Sequence, residues 1–502
     1  LKSAGFVLAV ISAAQFMVVV DTTIVNVALP DIQSDLQFSP GGLTWVINAY
    51  VLAFAGFLLV GARSADLWGR RRVFLIGITF FTVMSLLGGL APNGELLLAA
   101  RALQGLGAAA LAPATLTILM TTFLDQKARA RAFGIFASVA GAGGATGVLL
   151  GGVLTDLLSW RWILLVNVPI GIALFIFALL SVSGERSKIR GTIDWGGAVT
   201  ITAGLIGIVY AIVSGGSVGW SSPAAWGPLI AGAVLIAAFL IIESRHPSPL
   251  VPLRLFRSRT VSGANIIMLI TQPAVFSTMF ILALYLQDVR EFTPLQAGLA
   301  FLPMPLGFIV GSQISSRLAH RVGIRALMIV SPLIAIVGLL WLSQINTSTP
   351  FVFIAIAAAL TMIGISGAHV PVTLAANSSV EPKDAGLASG VLNTAQLLGG
   401  SVGLAISVGI AAAVTGGSDT PAALTGGYGA VFLTLAIAVA VAVVVALMIV
   451  PRRTASAAAR LEEEIEVLEH SPALASAIVD LPESAAVLAQ AAEQEGDARV
   501  PA

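Results

Sequence analysis

Apolar runs of about 20 residues, each long enough to cross a hydrocarbon core as a helix, recur fourteen times between residues 5 and 450. Their limits are 5–29, 42–63, 72–91, 95–121, 131–156, 160–182, 194–214, 226–243, 261–287, 295–317, 325–343, 350–376, 385–415 and 427–450. A soluble core needs far less apolar sequence than this. With 57% hydrophobic and 10% charged residues over 502 positions, the chain reads as an all-α integral membrane protein. A net charge of +1 gives no basic signal for nucleic acid. The chain has no cysteine, which excludes disulfides, thiolate metal sites and a cysteine nucleophile. Lys2 before an apolar run resembles a secretory leader. No small-residue cleavage site follows, however, and the polar patch Asp21–Asn26 continues the run, so a retained first helix is expected.

Charge tests the count. With a cytoplasmic N-terminus, the inside loops hold Arg70, Arg71 and Arg72; Lys127, Arg129 and Arg131; Arg186, Lys188 and Arg190; Arg245, Arg254, Arg257 and Arg259; Arg317, Arg321 and Arg325; and Arg452 and Arg453. The outside loops hold Arg161 and Arg290. Moving the register by one helix destroys this bias, so it supports fourteen spans with both termini inside.

Two inside loops match. Residues 62–71 read ARSADLWGRR and residues 316–325 read SRLAHRVGIR, pairing Gly69 with Gly323 and Arg71 with Arg325. The first follows span two and the second span ten, so helix n repeats as helix n+8. This predicts a six-helix bundle over 1–182, two linking helices over 183–245, a cytoplasmic loop over 246–260 and a second, pseudo-symmetric six-helix bundle over 261–450. Residues 451–502 read as a cytoplasmic tail. Leu461, Ile465 and Leu468 at helical spacing beside Glu462, Glu463, Glu464, Glu466 and Glu469 predict a short amphipathic helix, then disorder.

Asp21 is a carboxylate inside the first span, and such a charge faces a partner or a water-filled cavity. Counting from the span ends, Asp21 lies about 12 Å and Arg101 about 9 Å below the same face. Both are expected to face a central cavity and to interact there. Gln104 shares a helical face with Arg101 and can donate to Asp21 or to a substrate. Two readings stand: a proton- and substrate-handling pair, or a structural clamp in which Asp21 neutralises Arg101.

These residues resemble the major facilitator superfamily, in its fourteen-span drug:proton antiporter branch. The pattern from Asp21 to Pro30, DTTIVNVALP, matches the branch's first helix. Trp45, Asn48, Ala49, Tyr50 and Leu52 match its second; Trp160, Arg161 and Trp162 with Asn167, Pro169 and Gly171 match its sixth. The family loop motif is met at Ala65, Asp66, Gly69, Arg70 and Arg71 and departs at Ala62, Ser64 and Leu67. The fourth-helix motif is met by Leu97, Arg101, Gln104, Gly105 and Gly107. The antiporter motif is met by Gly143, Gly147, Gly151 and Gly152, with Val148 in place of its proline.

The resemblance implies proton-coupled export of lipophilic small molecules by alternating access in the bacterial plasma membrane. It implies no enzyme activity, cofactor or metal, a proton gradient as energy source and a single chain as the working unit. Asp21, Arg101, Gln104, Asn48 and His369 are then candidates for proton coupling and the substrate cavity. Asp66, Gly69, Arg70 and Arg71 become a cytoplasmic latch, or else a plain charge anchor. His320 replaces the acid in the second loop, so the latch is one-sided. The four glycines form a smooth packing face that the family refines into a leak-proof interface against the other half. Gly386, Gly390, Gly399, Gly400 and Gly403 repeat the feature in the thirteenth span.

In the second half no acid lies deep in a span; Asn265, Gln272, His369, Asn393 and Gln396 are the polar candidates. A cavity with one deep acid suits neutral, zwitterionic or monocationic substrates better than dications. An ATP-driven pump is excluded by the lack of a Gly-x-x-x-x-Gly-Lys-Ser/Thr loop. A membrane-embedded enzyme would need a metal cluster, paired carboxylates or a nucleophile with its base, and the sequence offers none. A dedicated exporter of one self-made metabolite or antibiotic, or a lipid carrier, remains open beside a broad drug pump.

Overall fold

A computed structural model describes residues 3–123, 125–182, 193–218, 222–246, 249–378, 380, 385–418 and 420–449. The expected tail helix, Arg186, Lys188, Arg190, Arg452, Arg453 and the side chains of Lys127 and His320 lie outside what it describes.

The described chain is helical: α1 (Ala4–Leu36), α2 (Pro40–Trp68), α3 (Arg70–Gly89), α4 (Gly94–Thr122), α5 (Gln126–Leu157), α6 (Trp162–Leu165), α7 (Asn167–Ser181), α8 (Trp195–Val218), α9 (Pro223–Arg245), α10 (Arg259–Leu284), α11 (Pro294–Ala300), α12 (Pro303–Val322), α13 (Ile324–Leu342), α14 (Phe351–Ser378), α15 (Ala385–Thr415) and α16 (Pro421–Ile449). Thirteen segments are long and apolar enough to span a membrane, α6–α7 and α11–α12 counting as one each. The 32-residue α5, whose described apolar part is Ala142–Leu157, makes the fourteenth.

Several helices outrun their apolar runs. α1 continues seven residues past Leu29 and stops at Gln37, left-handed at φ 55°, whose N–H bonds the Gln33 carbonyl; on this extension Asp35 Oδ2 accepts from Trp160 Nε1 at 2.9 Å and Arg161 Nη1 at 2.6 Å. Hydropathy reports the thickness of the apolar slab; hydrogen bonding and capping decide where a helix stops. Ser39, Asn93 and Asp125 each accept a backbone N–H at the start of α2, α4 and α5. Two expected spans are broken internally, at Val166 and at Phe301–Leu302, the second just before Pro303.

The sequence repeat is a structural repeat. Gly69 (φ 91°, ψ 130°) joins α2 to α3, and Gly323 (φ 85°, ψ 149°) joins α12 to α13, a backbone region that favours glycine. Arg71 Nη2 donates to the Leu179 carbonyl near the end of α7 at 2.8 Å; Arg325 Nη2 donates to the Leu447 carbonyl near the end of α16 at 2.9 Å. Packing follows the same rule. α1 lies on α5 and α10 on α15; α2 and α3 lie on α4, and α12 and α13 on α14. Across the halves α5 meets α11 and α2 meets α15, while the α8–α9 hairpin rests through α8 on α2 and α15.

Outward faces stay apolar, as at Ile76, Val234, Val337 and Met448, while buried polar groups such as Asp21, Asn48 and Gln104 sit within. That arrangement suits a lipid surround.

Candidate functional site

Two features stand out: a sealed polar network inside the first half and a cavity between the halves. The network centres on Asp21 of α1. Its Oδ2 accepts from Arg101 Nη1 at 2.7 Å; its Oδ1 accepts from Gln104 Nε2 and Asn167 Nδ2, each at 2.8 Å. Arg101 Nη1 also donates to Gln104 Oε1 at 2.7 Å, and its Nε donates to the Val46 carbonyl of α2 at 3.2 Å. The guanidinium carbon lies 4.4 Å from the Tyr50 ring centroid. Ser85 Oγ of α3 accepts from Gln104 at 3.2 Å and Asn167 at 3.1 Å and donates to the Leu164 carbonyl at 2.8 Å.

Three helices, α1, α4 and α7, therefore meet at one carboxylate, and α2, α3 and α6 join the network through Arg101 and Ser85. Arg101 and Gln104, three apart on α4, present one face, as their spacing requires. Burying this pair costs several kcal/mol of desolvation per ion, offset by charge-assisted bonds. The expected Asp21–Arg101 pairing is present, but its expected setting is not. Asp21 is 0%, Gln104 1% and Arg101 2% exposed, so none faces the cavity in this conformation. Tyr50 and Gln104 close over the pair, and depth counting along a helix carries no information about such closure.

The cavity, about 1150 Å³, lies between α1, α2, α4 and α5 on one side and α14 and α15 on the other. It reaches the end of the molecule that carries Gly69 and Gly323. Phe54, Met120, Phe133 and Phe136 supply apolar walls, and Gln15, Asn393 and Gln396 supply amides. Its charged lining residues are Arg63 and Asp66, near the end of α2.

The opposite end is closed between the halves. Ser401 Oγ donates to Asn48 Oδ1 at 2.8 Å, and Gln287 Nε2 donates to the Val27 carbonyl at 2.9 Å. A Cβ on Gly152 would stand 2.7 Å from the Pro294 carbonyl, and one on Gly298 3.0 Å from that of Val148.

The other candidates fall into place around these two features. Asn48, expected at the cavity, is instead buried in the α2–α15 contact, where its Nδ2 has no hydrogen-bond partner. His369 lies beside Phe308, ring centroids 6.3 Å apart and planes tilted by 58°, and in reach of the cavity-lining Gln396. Asn265 and Gln272 turn onto their own helix, to the Val261 carbonyl at 2.9 Å and Met268 Sδ at 3.3 Å. Of the latch residues, Asp66 lines the cavity, Gly69 makes the turn and Arg71 binds within its own half; Arg70 continues into α3.

The glycine face is corrected in its partner. Gly143, Gly147 and Gly151 pack on α1 of the same half, where added Cβ atoms would meet Val19, Thr23 and the Ile24 carbonyl at 3.2, 2.1 and 2.6 Å. Only Gly152 of the four abuts α11 of the other half. In α15, Gly399 and Gly403 pack on Leu269 and Pro273 of α10, while Gly390 meets Leu59 of α2.

Sequence reasoning missed three members of the network. Asn167 and Tyr50 stood inside quoted motifs, so a signal existed for both. Ser85 had none, because a serine in an apolar run reads as ordinary helix packing.

Comparisons with known proteins agree with this geometry. The model of the Major Facilitator Superfamily matches residues 11–404. The chain is 41% identical to the cephamycin export protein CmcT of Amycolatopsis lactamdurans, over 84% of this chain and 88% of that one. It is 40% identical to the puromycin resistance protein pur8 of Streptomyces alboniger, over 83% and 84%. It is 34% identical to the multidrug resistance protein Stp of Mycobacterium tuberculosis, over 79% and 74%. Among solved structures, a bacterial homologue of the lysosomal transporter Spinster, inward-facing and unoccupied, superposes with a TM-score of 0.65 at 16% identity, covering 90% of this chain and 99% of that one. The nucleoside transporter NupG gives 0.64 at 14% identity, covering 89% and 100%. The chain, a multi-pass membrane protein of two related halves, belongs to the Major Facilitator Superfamily.

Proposed function

We propose that this chain exports lipophilic small molecules, antibiotics among them, across the plasma membrane in exchange for protons. The observation that carries the reading is a sealed carboxylate wired to one wall of the cavity. Asp21 holds Arg101, Arg101 holds the Val46 carbonyl of α2, and α2 carries Asn48, whose bond to Ser401 closes one end of the cavity. A proton on Asp21 would weaken its hold on Arg101 and loosen α2. Loss of the proton would restore the pair. The closed end is then the outer one, and the cavity opens to the cytoplasm, where the arginine bias also places both termini.

The cavity supports the substrate class. Aromatic walls with a few amides suit amphipathic, largely neutral molecules. Its one lining carboxylate, Asp66, stands at the mouth, which suits neutral or monocationic substrates over dications. On this reading Asp66 and Arg70 act as the cytoplasmic latch. The chain works as a monomeric transporter, not an enzyme, and draws on the proton gradient without a cofactor. A second reading, a dedicated exporter of one antibiotic, is favoured by the relatives named for cephamycin export and puromycin resistance. Efflux and resistance profiling in a pump-deficient host separates the two: many unrelated compounds for a broad pump, one for a dedicated exporter. Export that survives collapse of the proton gradient would contradict the coupling.

A further inference from the structure

Neither the proton network nor the cavity lining uses the α8–α9 hairpin, yet the hairpin carries a buried acid. Glu243, in the last turn of α9, is 3% exposed. Its Oε1 accepts the Leu250 N–H and its Oε2 the Val251 N–H, each at 3.2 Å. The bonds are charge-assisted and hold both ends of one peptide step.

The first turn of α8 closes over the same carboxylate. Asp194 Oδ1 accepts the Gly197 N–H at 2.7 Å. A Cβ on Gly197 would stand 3.2 Å from Glu243 Oε1 and 2.6 Å from Asp194 Oδ2, so the bare glycine is what allows this approach. The positive end of α8 thereby faces the anion.

What Glu243 holds matters for the cavity. Pro249 and Leu250 form part of its lining. Leu250 is also packed among Leu59 and Val60 of α2, Ala198 of α8 and Val391 of α15. It thus sits where the two halves meet along one side of the cavity.

We propose that Glu243 is a positioning residue that clasps the Pro249–Val251 turn as a wedge at the α2–α15 junction, so that the α8–α9 hairpin sets the breadth of molecule the cavity admits. The wedge closes the side of the cavity against lipid. Released, it would widen the cavity at Leu250 without touching Asp21 or Arg101. The breadth part of this inference rests on the export reading; the clasp does not.

The test uses the full chain, whose lack of cysteine gives a silent background. A single Leu250→Cys is labelled with a maleimide in inside-out vesicles. Glu243→Ala should speed labelling about tenfold or more, as expected when bonds to a charged acceptor are lost. Glu243→Gln, which keeps one carbonyl acceptor, should fall between, and it carries the comparison alone should the alanine variant not reach the membrane. Separately, without the cysteine, two neutral dyes of different width are compared: either Glu243 variant should raise the wide-to-narrow ratio of kcat/KM. Labelling rates equal to the parent's would overturn the clasp. Faster labelling with an unchanged dye ratio would overturn the selection by breadth. A parent chain that exports neither dye would contradict the export reading and leave the labelling result to decide the clasp.

Discussion

Among the described residues the two halves share a skeleton and differ in one buried ion pair. Gly69 and Gly323 turn alike, and Arg71 and Arg325 reach equivalent carbonyls at 2.8 and 2.9 Å. α1 packs on α5 as α10 packs on α15, each through glycines. Inside, however, the first half buries Asp21 and Arg101, whereas the buried polar residues described in α10–α16 are uncharged Ser, Thr, Asn and Gln. Ser277 and Ser407 bond at 2.9 Å in α10 and α15, and Ser315 reaches the Gly367 carbonyl at 2.7 Å. The skeleton is therefore what the fold requires of both halves. The ion pair is an addition that the fold does without in one of them, which points to transport as its reason.

The comparison breaks most sharply at Arg101. Arg101→Ala leaves Asp21 buried and unpaired and should cost about 3–5 kcal/mol. Adding Asp21→Asn should recover part of that, a non-additivity visible in thermal unfolding in detergent. No single polar-to-alanine change within α10–α16 should approach this loss.

The shared skeleton gives a middle-sized effect in both halves. Gly147→Val and Gly399→Val place a Cβ 2.1 Å from Thr23 Oγ1 and 2.3 Å from the Leu269 carbonyl, respectively. Each should destabilise by about 1–3 kcal/mol or more, as overpacking does. Gly144→Val is the control, since nothing lies within 4 Å of an added Cβ there. Unequal responses at Gly147 and Gly399 would mean the halves are not held in the same way. The smallest effect belongs to the contact between the halves: Ser401→Ala removes one hydrogen bond, worth about 1 kcal/mol. It should raise the accessibility of a cysteine placed at Val27 from the closed side, with little change in unfolding.

The fourteen segments were legible because transfer of apolar surface dominates membrane folding, and the repeat was legible because a positive φ restricts Gly69 and Gly323. The Asp21–Arg101 meeting was legible as well, since few partners can satisfy an intramembrane charge. Its sealing was not: closure by Gln104, Asn167 and Tyr50 depends on helix rotation, which an almost uniformly apolar helix does not encode in its pattern. Two expectations drawn from the family resemblance shift for the same reason: Gly143, Gly147 and Gly151 pack on α1 with only Gly152 against the other half, and Asn48 sits in the α2–α15 contact. Glu243 passed unnoticed because a terminal acid normally faces water, and here the returning segment at Leu250 and the first turn of α8 together bury it.

The central claim is that Asp21 carries the coupled proton. The direct measurement is uptake into inside-out vesicles by the Asp21→Asn variant, with and without an imposed pH gradient, beside substrate–substrate exchange in the same vesicles. The account predicts that the gradient no longer drives accumulation while exchange continues. Gradient-driven accumulation at the parental rate would contradict it.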